Sequence, residues 1–537
     1  MAQFCSRSRG SWSFGLLAAL LACGDSGGAT GTDGESEGGS GSTSGDSTAQ
    51  PTTSGATTMT PGTAGTTGEG GSSTGGPAPE LVMVGHPREL RAVWIATVAN
   101  INFPSEPGLD AATQQDELRA LLDVAQATGL NAVMFQVRPE SDALYASDLE
   151  PWSRFLTGEQ GGDPGYDPLE VLVDEAHARG IEVHAWLNPY RAAVSKGATL
   201  DPMHIAEVLP EYAYVYDKYL WMDPGAPEVQ DHLLAVIDDI VMRYDVDGIH
   251  FDDYFYPYPT DADFPDDATW QAYQDGGGGL SRADWRRSNV DGMVKAVGET
   301  IAGLRPEVRW GISPFGIYRP GIPPGISGLD QYEALYADPL KWMQEGWLDY
   351  LAPQLYWPTT QEAQAYGALI EWWSSVTEGG RHIFAGNYLS KLGTEAKWSV
   401  DEFRAELDLS REFADAGSRG NIFFHVEPFQ SNTEGIADVI RGEYYQAPAL
   451  TPPIAALAGE TVAPPEVTLM GGTAALAHEA PAGLRAWVVY AQAGEGWTVD
   501  RIVPASEPSV ALAPGTWAIS AAGKQGVESL GVVVTAP

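Results

Sequence analysis

Cysteine is nearly absent: the 537 residues hold two, Cys5 and Cys23. No Cys cluster and no His-Glu-x-x-His pair occurs, so a zinc hydrolase is not indicated, and with Cys5 inside a leader no internal disulfide is expected. Positive charge is also scarce. Lys and Arg number 30 against 72 Asp and Glu, a formal net charge of −42, which argues against nucleic-acid binding and against electrostatic docking on anionic lipid. An anionic substrate would have to meet local positive groups. No apolar run reaches the ~20 residues of a membrane-spanning helix; Phe14–Ala22 falls well short. The strand–helix region lacks a Gly-x-Ser-x-Gly elbow for an acyl-transfer serine and a Gly-rich phosphate loop after its first strand.

Near the start, polarity replaces structure. Residues 24 to 80 are almost only Gly, Ser, Thr, Asp, Glu, Ala and Pro, with no Lys or Arg. Such a segment buries too little apolar surface to offset the entropy of ordering, so a flexible tether over 23–80 is expected. Ahead of it stand Arg7, Arg9, the apolar run and then Leu20-Leu21-Ala22-Cys23-Gly24, the layout of a short secretory signal over 1–22. The tetrapeptide ending in Cys23 resembles the lipobox of bacterial lipoproteins, which implies cleavage before Cys23 and a lipid attached to it. The expectation is a monomer held by that lipid in the cell envelope, at the periplasm or cell surface, with no cofactor and no metal. The Asp-rich loop Asp261–Asp267 lacks the spacing of a calcium-binding EF-hand, and solvent exposure accounts for it.

From about residue 87 to 445 one pattern recurs. Strand-like runs at Leu90–Val98, Ala132–Arg138, Glu182–Asn188, Val246–Asp253, Arg309–Phe315, Leu348–Tyr356, His382–Tyr388 and Asn421–Glu427 alternate with helical stripes such as Leu118, Leu121, Leu122 and Ala125. Gly129, Gly180, Gly346 and Gly420 read as helix ends. Repeated strand–helix units predict a (β/α)8 barrel, an α/β fold whose chemistry sits where the strands end. Over 452–537 the helical pattern gives way to short strands at Pro465–Met470, Leu484–Ala491, Ser509–Leu512, Gly515–Ala521 and Ser529–Val534, an immunoglobulin- or fibronectin-like β-sandwich. No exposed aromatic row marks it as a glycan binder, so spacing is its expected role.

The fourth strand carries the chemistry. In Val246-Asp247-Gly248-Ile249-His250-Phe251-Asp252-Asp253-Tyr254 strict alternation places His250, Asp252 and Tyr254 on one face. Extended to the other strands, alternation gives an inward set of Trp94, Gln136, Arg138, His184, Asn188, His250, Asp252, Ser313, Gln354, Tyr356, His425 and Glu427. Glycoside hydrolysis needs two carboxyl groups, one to protonate the leaving oxygen and one to act as nucleophile or to activate water. Asp252 is the first. The second is open among Asp253, Asp142, Glu140 and Glu427, with Asp253 or Asp142 favoured; strand five ends without an acid. Asp253 would face away from Asp252 unless the strand ends or bulges there. An adjacent acid pair also suits substrate assistance by an N-acetyl group, since proximity raises one pKa.

Arg91-Ala-Val-Trp94, Phe135-Gln-Val-Arg138-Pro-Glu-Ser-Asp142, Glu150-Pro-Trp152, His184-Ala-Trp-Leu-Asn188-Pro-Tyr190-Arg191, Gly248 to Tyr256, Trp285-Arg-Arg-Ser-Asn289, Gly311 to Gly316 and Pro353-Gln354-Leu-Tyr356-Trp357 resemble the glycosyl hydrolase-like 10 family. The likeness runs through every strand from about residue 87 to 445. It implies an exported barrel glycosidase, sometimes a lipoprotein, with a characterised branch acting on peptidoglycan glycan strands stripped of peptides. On that reading Arg138 and Arg191 are candidates to pair with a carboxylate such as the lactyl group of muramic acid. Trp94, Tyr190, Tyr254, Tyr256, Tyr356 and Trp357 are candidates to stack on sugar rings. His184, Asn188 and Gln354 can bond hydroxyls. Gln136, His250 and Glu427 are further candidate substrate contacts. The competing function is a non-catalytic glycan-binding lipoprotein on the same scaffold.

Overall fold

Short stretches rich in β-branched and aromatic residues pair in parallel and close on themselves in the computed structural model, which describes residues 79–537. The expected leader, the tether and Cys23 lie outside the described residues. The closed barrel has eight strands: β1 Leu90–Ile95, β2 Ala132–Arg138, β3 Glu182–Leu187, β4 Gly248–Phe251, β5 Arg309–Ile312, β6 Tyr350–Leu351, β7 His382–Asn387 and β8 Ser418–Phe423. β1 pairs with both β2 and β8, which completes the ring. Seven strands fall inside the expected stretches. β8 starts at Ser418, ahead of the expected Asn421, and stops at Phe423. Glu427 is therefore not at a strand end; it opens the short helix Glu427–Gln430 and is exposed.

The helices follow their sequence signals. Ala111–Thr128 begins at Asp110, whose side chain accepts the Thr113 N–H, ends at Gly129 and buries Leu118, Leu121, Leu122 and Ala125. Gly346 ends Pro339–Glu345 in the same left-handed conformation, φ 71°. Gly420 is a correction: it lies within β8 with φ 149°, and a Cβ there would come within 2.0 Å of the Leu90 carbonyl oxygen on β1. Only glycine fits, because the obstacle is neighbouring backbone.

Inside the barrel, large rings oppose missing side chains. Leu90, Ala92, Trp94, Ala132, Met134, Trp186, Tyr350, Ala352, Phe384 and Ile422 form its core. A Cβ on Gly248 would meet the His184 ring at 2.6 Å, and one on Gly311 would meet the Tyr350 ring at 2.1 Å. Close packing of this kind fixes the depth of each ring.

The C-terminal strands form two antiparallel sheets. One holds, in order, Leu81–Val82, Gly531–Ala536, Gly515–Gly523, Leu484–Ala493 and Gly496–Pro504; the other holds Glu466–Met470, Thr473–Ala477 and Ser509–Ala511. Trp487, Val489, Ile519 and Leu476 pack between them. Three of these strands, Leu81–Val82, Thr473–Ala477 and Gly496–Pro504, were not among the expected ones. The first comes from the chain just before the barrel. Contacts with the barrel gather where its strands begin: Lys524 Nζ lies 2.6 Å from Asp245 Oδ1, Arg485 pairs with Asp247, and Thr451 Oγ1 donates to Glu182 at 2.6 Å. The sandwich thus closes the end of the barrel opposite the strand C-termini.

Gly311→Ala is expected to destabilise the fold by about 1–3 kcal/mol through overpacking against Tyr350. Gly303→Ala, in a helix with nothing within 4 Å of the added Cβ, is expected to be neutral or stabilising by a few tenths of a kcal/mol. Denaturant unfolding of both variants checks the contrast, and equal midpoints would contradict it.

Candidate active site at the end of the fourth strand

β4 ends at Phe251, so Asp252 and Asp253 belong to the bend that follows it. That early stop frees Asp253 from the outward position that alternation would impose. Both aspartates are buried, at 4% and 3% exposure, and they turn to different neighbours. Asp252 faces β3: Trp186 Nε1 donates to Oδ2 at 3.0 Å, and Asn188 Nδ2 donates at 3.2 and 3.3 Å. Asp253 faces β5 and β6: the Tyr258 hydroxyl donates to it, and the Gln354 amide also bonds it while donating to Ser313 O at 2.9 Å.

Burial pushes both carboxyls upward. Asp252 rises to about 7, chiefly from lost hydration; Arg191 opposes the rise, and the charge of Asp253 adds to it. Asp253 rises to about 6 from burial, against hydrogen bonds from Tyr258 and Gln354. Asp252 is thereby the more basic of the two, and the charge of Asp253 is part of the reason. The partners differ in kind. Asp252 meets donors only, from an indole N–H, an amide N–H and the Tyr254 backbone N–H at 3.4 Å. Asp253 meets a hydroxyl, which can accept as well as donate.

The other expected residues divide sharply. Asp142 is fully buried and raised to about 7 by burial and by Glu140, yet its carboxylate is taken up by its own loop: Oδ1 accepts Glu140 N at 3.0 Å, and Oδ2 accepts Gln160 Nε2 at 3.2 Å. Glu140 is bound by Arg154 at 2.7 Å. Both carboxylates are thus bonded around the loop after β2. Glu427 stands apart on its exposed helix.

Arg138 and Gln136 are consumed internally. Arg138 pairs with Glu150 at 2.6 Å and donates to the carbonyls of Asn188 and Pro189 at 2.7 and 3.0 Å. Burial would raise Glu150, but Arg138 and His232 hold it down to about 2. Gln136 Oε1 accepts the Thr97 and Val98 N–H groups at 3.0 Å each, fixing the loop after β1. Asn188 spends its amide on Asp252 and its carbonyl oxygen on Arg191 N at 2.9 Å. His184 and His250 lie deeper, both fully buried and joined through the Tyr350 hydroxyl at 2.8 and 3.0 Å. These residues are buried, and the hydrogen bonds named here are all made inside the barrel.

Arg191 is different. Its guanidinium lies 5.1 Å from the Tyr254 ring centroid and acts electrostatically on Asp252. Nη2 donates to Pro139 O at 3.1 Å, while Nε is buried without a hydrogen-bond partner. Of the six aromatics expected to meet sugar, Tyr254 and Tyr356 retain partial exposure, and Trp94, Tyr190, Tyr256 and Trp357 are buried. Tyr356 stacks on Tyr388 with centroids 4.4 Å apart. Trp357 packs edge-on against Phe315, and Tyr256 packs against Phe264 and Tyr336. Trp186, Tyr258 and Tyr350 were missed. Alternation from His184 reaches Trp186, and from Gln354 it reaches Tyr350; Tyr258, in a loop, had no periodic signal. No group of His, Cys, Asp and Glu among the described residues is arranged to hold a metal ion.

Residues 89–400 match the family model described as Glycosyl hydrolase-like 10. The chain is 41% identical over 378 residues to "Glycosyl hydrolase YngK" of Bacillus subtilis, covering 68% of this chain and 73% of that protein. It is 37% identical over 352 residues to "Glycosyl hydrolase DigH" of Escherichia coli K12, covering 60% of this chain and 80% of the other. Among solved structures, the PgaB (BpsB) glycoside hydrolase domain from Bordetella bronchiseptica aligns with a TM-score of 0.45 at 12% identity, over 66% of this chain and 98% of that one.

The raised carboxyls set a pH dependence. The folded state keeps protons on Asp252 and Asp253 that the unfolded chain has released, so wild-type stability falls as pH rises from about 4 to about 7. Asp252→Asn removes one such group. Between about pH 4 and pH 8 the wild type is expected to lose on the order of 2–4 kcal/mol more stability than the variant. Parallel slopes in denaturant titrations would contradict this.

Proposed function

Because the chain belongs to the glycosyl hydrolase-like 10 family, we propose that it hydrolyses glycosidic bonds in cell-envelope polysaccharide, with peptide-free peptidoglycan glycan strands as the substrate. Membership in the family supports a glycoside hydrolase. The observation that carries the reading further is the buried pair at the end of β4, with Asp252 ringed by N–H donors and Asp253 by Tyr258 and Gln354. In the proposed reaction Asp253, protonated in the substrate complex beside a Tyr258 hydroxyl that can accept as well as donate, gives its proton to the leaving oxygen. Asp252 stays ionised and faces the positive charge that develops at the anomeric carbon, directly or through an N-acetyl group on the sugar. Arg191 steadies Asp252 in that state, since the repulsion from Asp253 vanishes once Asp253 is protonated.

Support for a muramic acid-containing strand comes from the branch of the family that acts on it and from Arg191. Its unsatisfied Nε is a donor in search of an acceptor in a protein otherwise rich in negative charge. Tyr254 and Tyr356, partly exposed, are the proposed stacking surfaces. We assign the sandwich a supporting role, in keeping with its place at the far end of the barrel.

The test is incubation of the full chain with peptide-free glycan strands, with soluble fragments followed by mass spectrometry. Asp252→Asn and Asp253→Asn are each expected to slow release about 10²–10⁴-fold while leaving binding measurable. Equal turnover in wild type and variants would overturn the assignment of the pair. Binding without turnover in the wild type would favour the glycan-binding alternative. We also propose that Cys23 is lipidated and holds the enzyme at a membrane; Cys23→Ser is expected to move it from the membrane to the soluble fraction on fractionation of the producing cells.

A further inference from the structure

A chain of buried polar groups runs along the barrel axis beneath the carboxyl pair. Trp94 Nε1 donates to His250 Nε2 at 3.2 Å. His250 Nδ1 lies 3.0 Å from the Tyr350 hydroxyl, and the same hydroxyl lies 2.8 Å from His184 Nδ1. His184 Nε2 lies 3.5 Å from Glu182 Oε2. At the lower end Arg309 stands 3.6 Å from that oxygen, and Thr451 donates to the other oxygen of Glu182 at 2.6 Å. Both histidines and Tyr350 are essentially inaccessible to water.

The upper end fixes the direction of every bond below it. An indole can only donate, and an ionised carboxylate can only accept. Burial favours the neutral form of Glu182, but Arg309, with His184 and Arg485, holds it ionised at about 2. Trp94 therefore requires a bare Nε2 on His250, which puts the His250 proton on Nδ1. That proton points to the Tyr350 oxygen, so the Tyr350 hydroxyl must donate to His184 Nδ1. The His184 proton is then on Nε2, which lies 3.5 Å from Glu182 Oε2 without forming a hydrogen bond. Burial keeps both histidines neutral, and the Ser313 hydroxyl, 3.2 Å from His250 Nε2, is compatible as a second donor there.

We propose that His184, Tyr350 and His250 are positioning residues: a one-directional hydrogen-bonded column, with the Glu182 carboxylate near its lower end, that holds the Trp94 indole as part of the floor under Asp252 and Asp253. His250 lies two residues before Asp252, next to the last residue of β4, so a displaced His250 or Trp94 disturbs the layer next to the carboxyls. The link to activity rests on the glycosidase reading above; the column itself does not. The sandwich takes part at one remove, since Arg485 belongs to it and acts on Glu182.

The test uses the full chain with 15N-labelled histidine, with His184 and His250 assigned by single Gln replacements among the nine histidines. The expected result at neutral pH is His250 protonated at Nδ1 and His184 at Nε2. Tyr350→Phe keeps the ring that fills the space above Gly311 and removes the hub. It is expected to shift both histidine spectra, move the Trp94 indole N–H resonance, and lower kcat/KM on glycan strands about 10–100-fold, with unfolding still cooperative at a midpoint lower by a few degrees, since two buried ring nitrogens lose their partner. The opposite tautomer on either histidine in the wild type would overturn the proposal. So would a Tyr350→Phe variant with an unmoved Trp94 resonance, or one with wild-type kcat/KM. A wild type that leaves glycan intact would count against the glycosidase reading alone, because the resonances are recorded without substrate.

Discussion

Asp252 and Asp253 are consecutive, nearly sealed from water and drawn apart only by the bend that follows β4. Their mutual repulsion and lost hydration form the constraint around which the upper barrel is arranged. Burying one carboxylate without partners costs several kcal/mol, and burying two side by side costs more. Trp186 and Asn188 meet the first, Tyr258 and Gln354 meet the second, and the positive charge of Arg191 acts on Asp252. Each partner is itself held. Asn188 is placed through its backbone carbonyl, which accepts from Arg138, and Arg138 is placed by Glu150. The cost of the pair to stability is what a site gives up for groups that titrate near neutrality.

The remaining interior supports that arrangement by removing freedom. Glycines at 248 and 311 admit the His184 and Tyr350 rings to fixed depths, and the column from His184 to Trp94 converts those depths into hydrogen-bond directions. The sandwich adds Arg485 and Lys524 to the acidic residues where β4 begins. It therefore stands far from the carboxyl pair yet close to the anchor of the column.

The barrel was legible because the strands are short, buried on both faces and separated by helices with clear stripes, and because Asp252 lies at the end of the most apolar-and-acidic of them. Alternation reports which face a residue is on but not its depth. That is why Gln136, Arg138 and His184 were grouped with Asp252 as ligand contacts although they are buried and make their hydrogen bonds inside the barrel. The same rule, applied to β3 and β6, reaches Trp186 and Tyr350. Asp253 could be joined to Asp252 only by knowing that β4 stops at Phe251, a boundary within the two- or three-residue margin that pattern leaves open. Asp142 carries no local sign that Gln160, many residues later, would occupy it. In the sandwich, Gly496–Pro504 is an edge strand whose alternation through Trp497 and Val499 breaks at a bulge beside Asp500 and Arg501, and Thr473–Ala477 is rich in alanine and so shows little contrast between its faces.

The account stands on Asp252 and Asp253 acting on one sugar. The most direct measurement is a crystal structure of the Asp253→Asn variant with an N-acetylated glycan fragment bound. The account predicts a single sugar ring within hydrogen-bonding reach of both positions, Asp252 toward the anomeric carbon or the acetamido group and residue 253 toward the glycosidic oxygen. A fragment seated so that only one of the two positions touches it, or seated away from the end of β4, would contradict it.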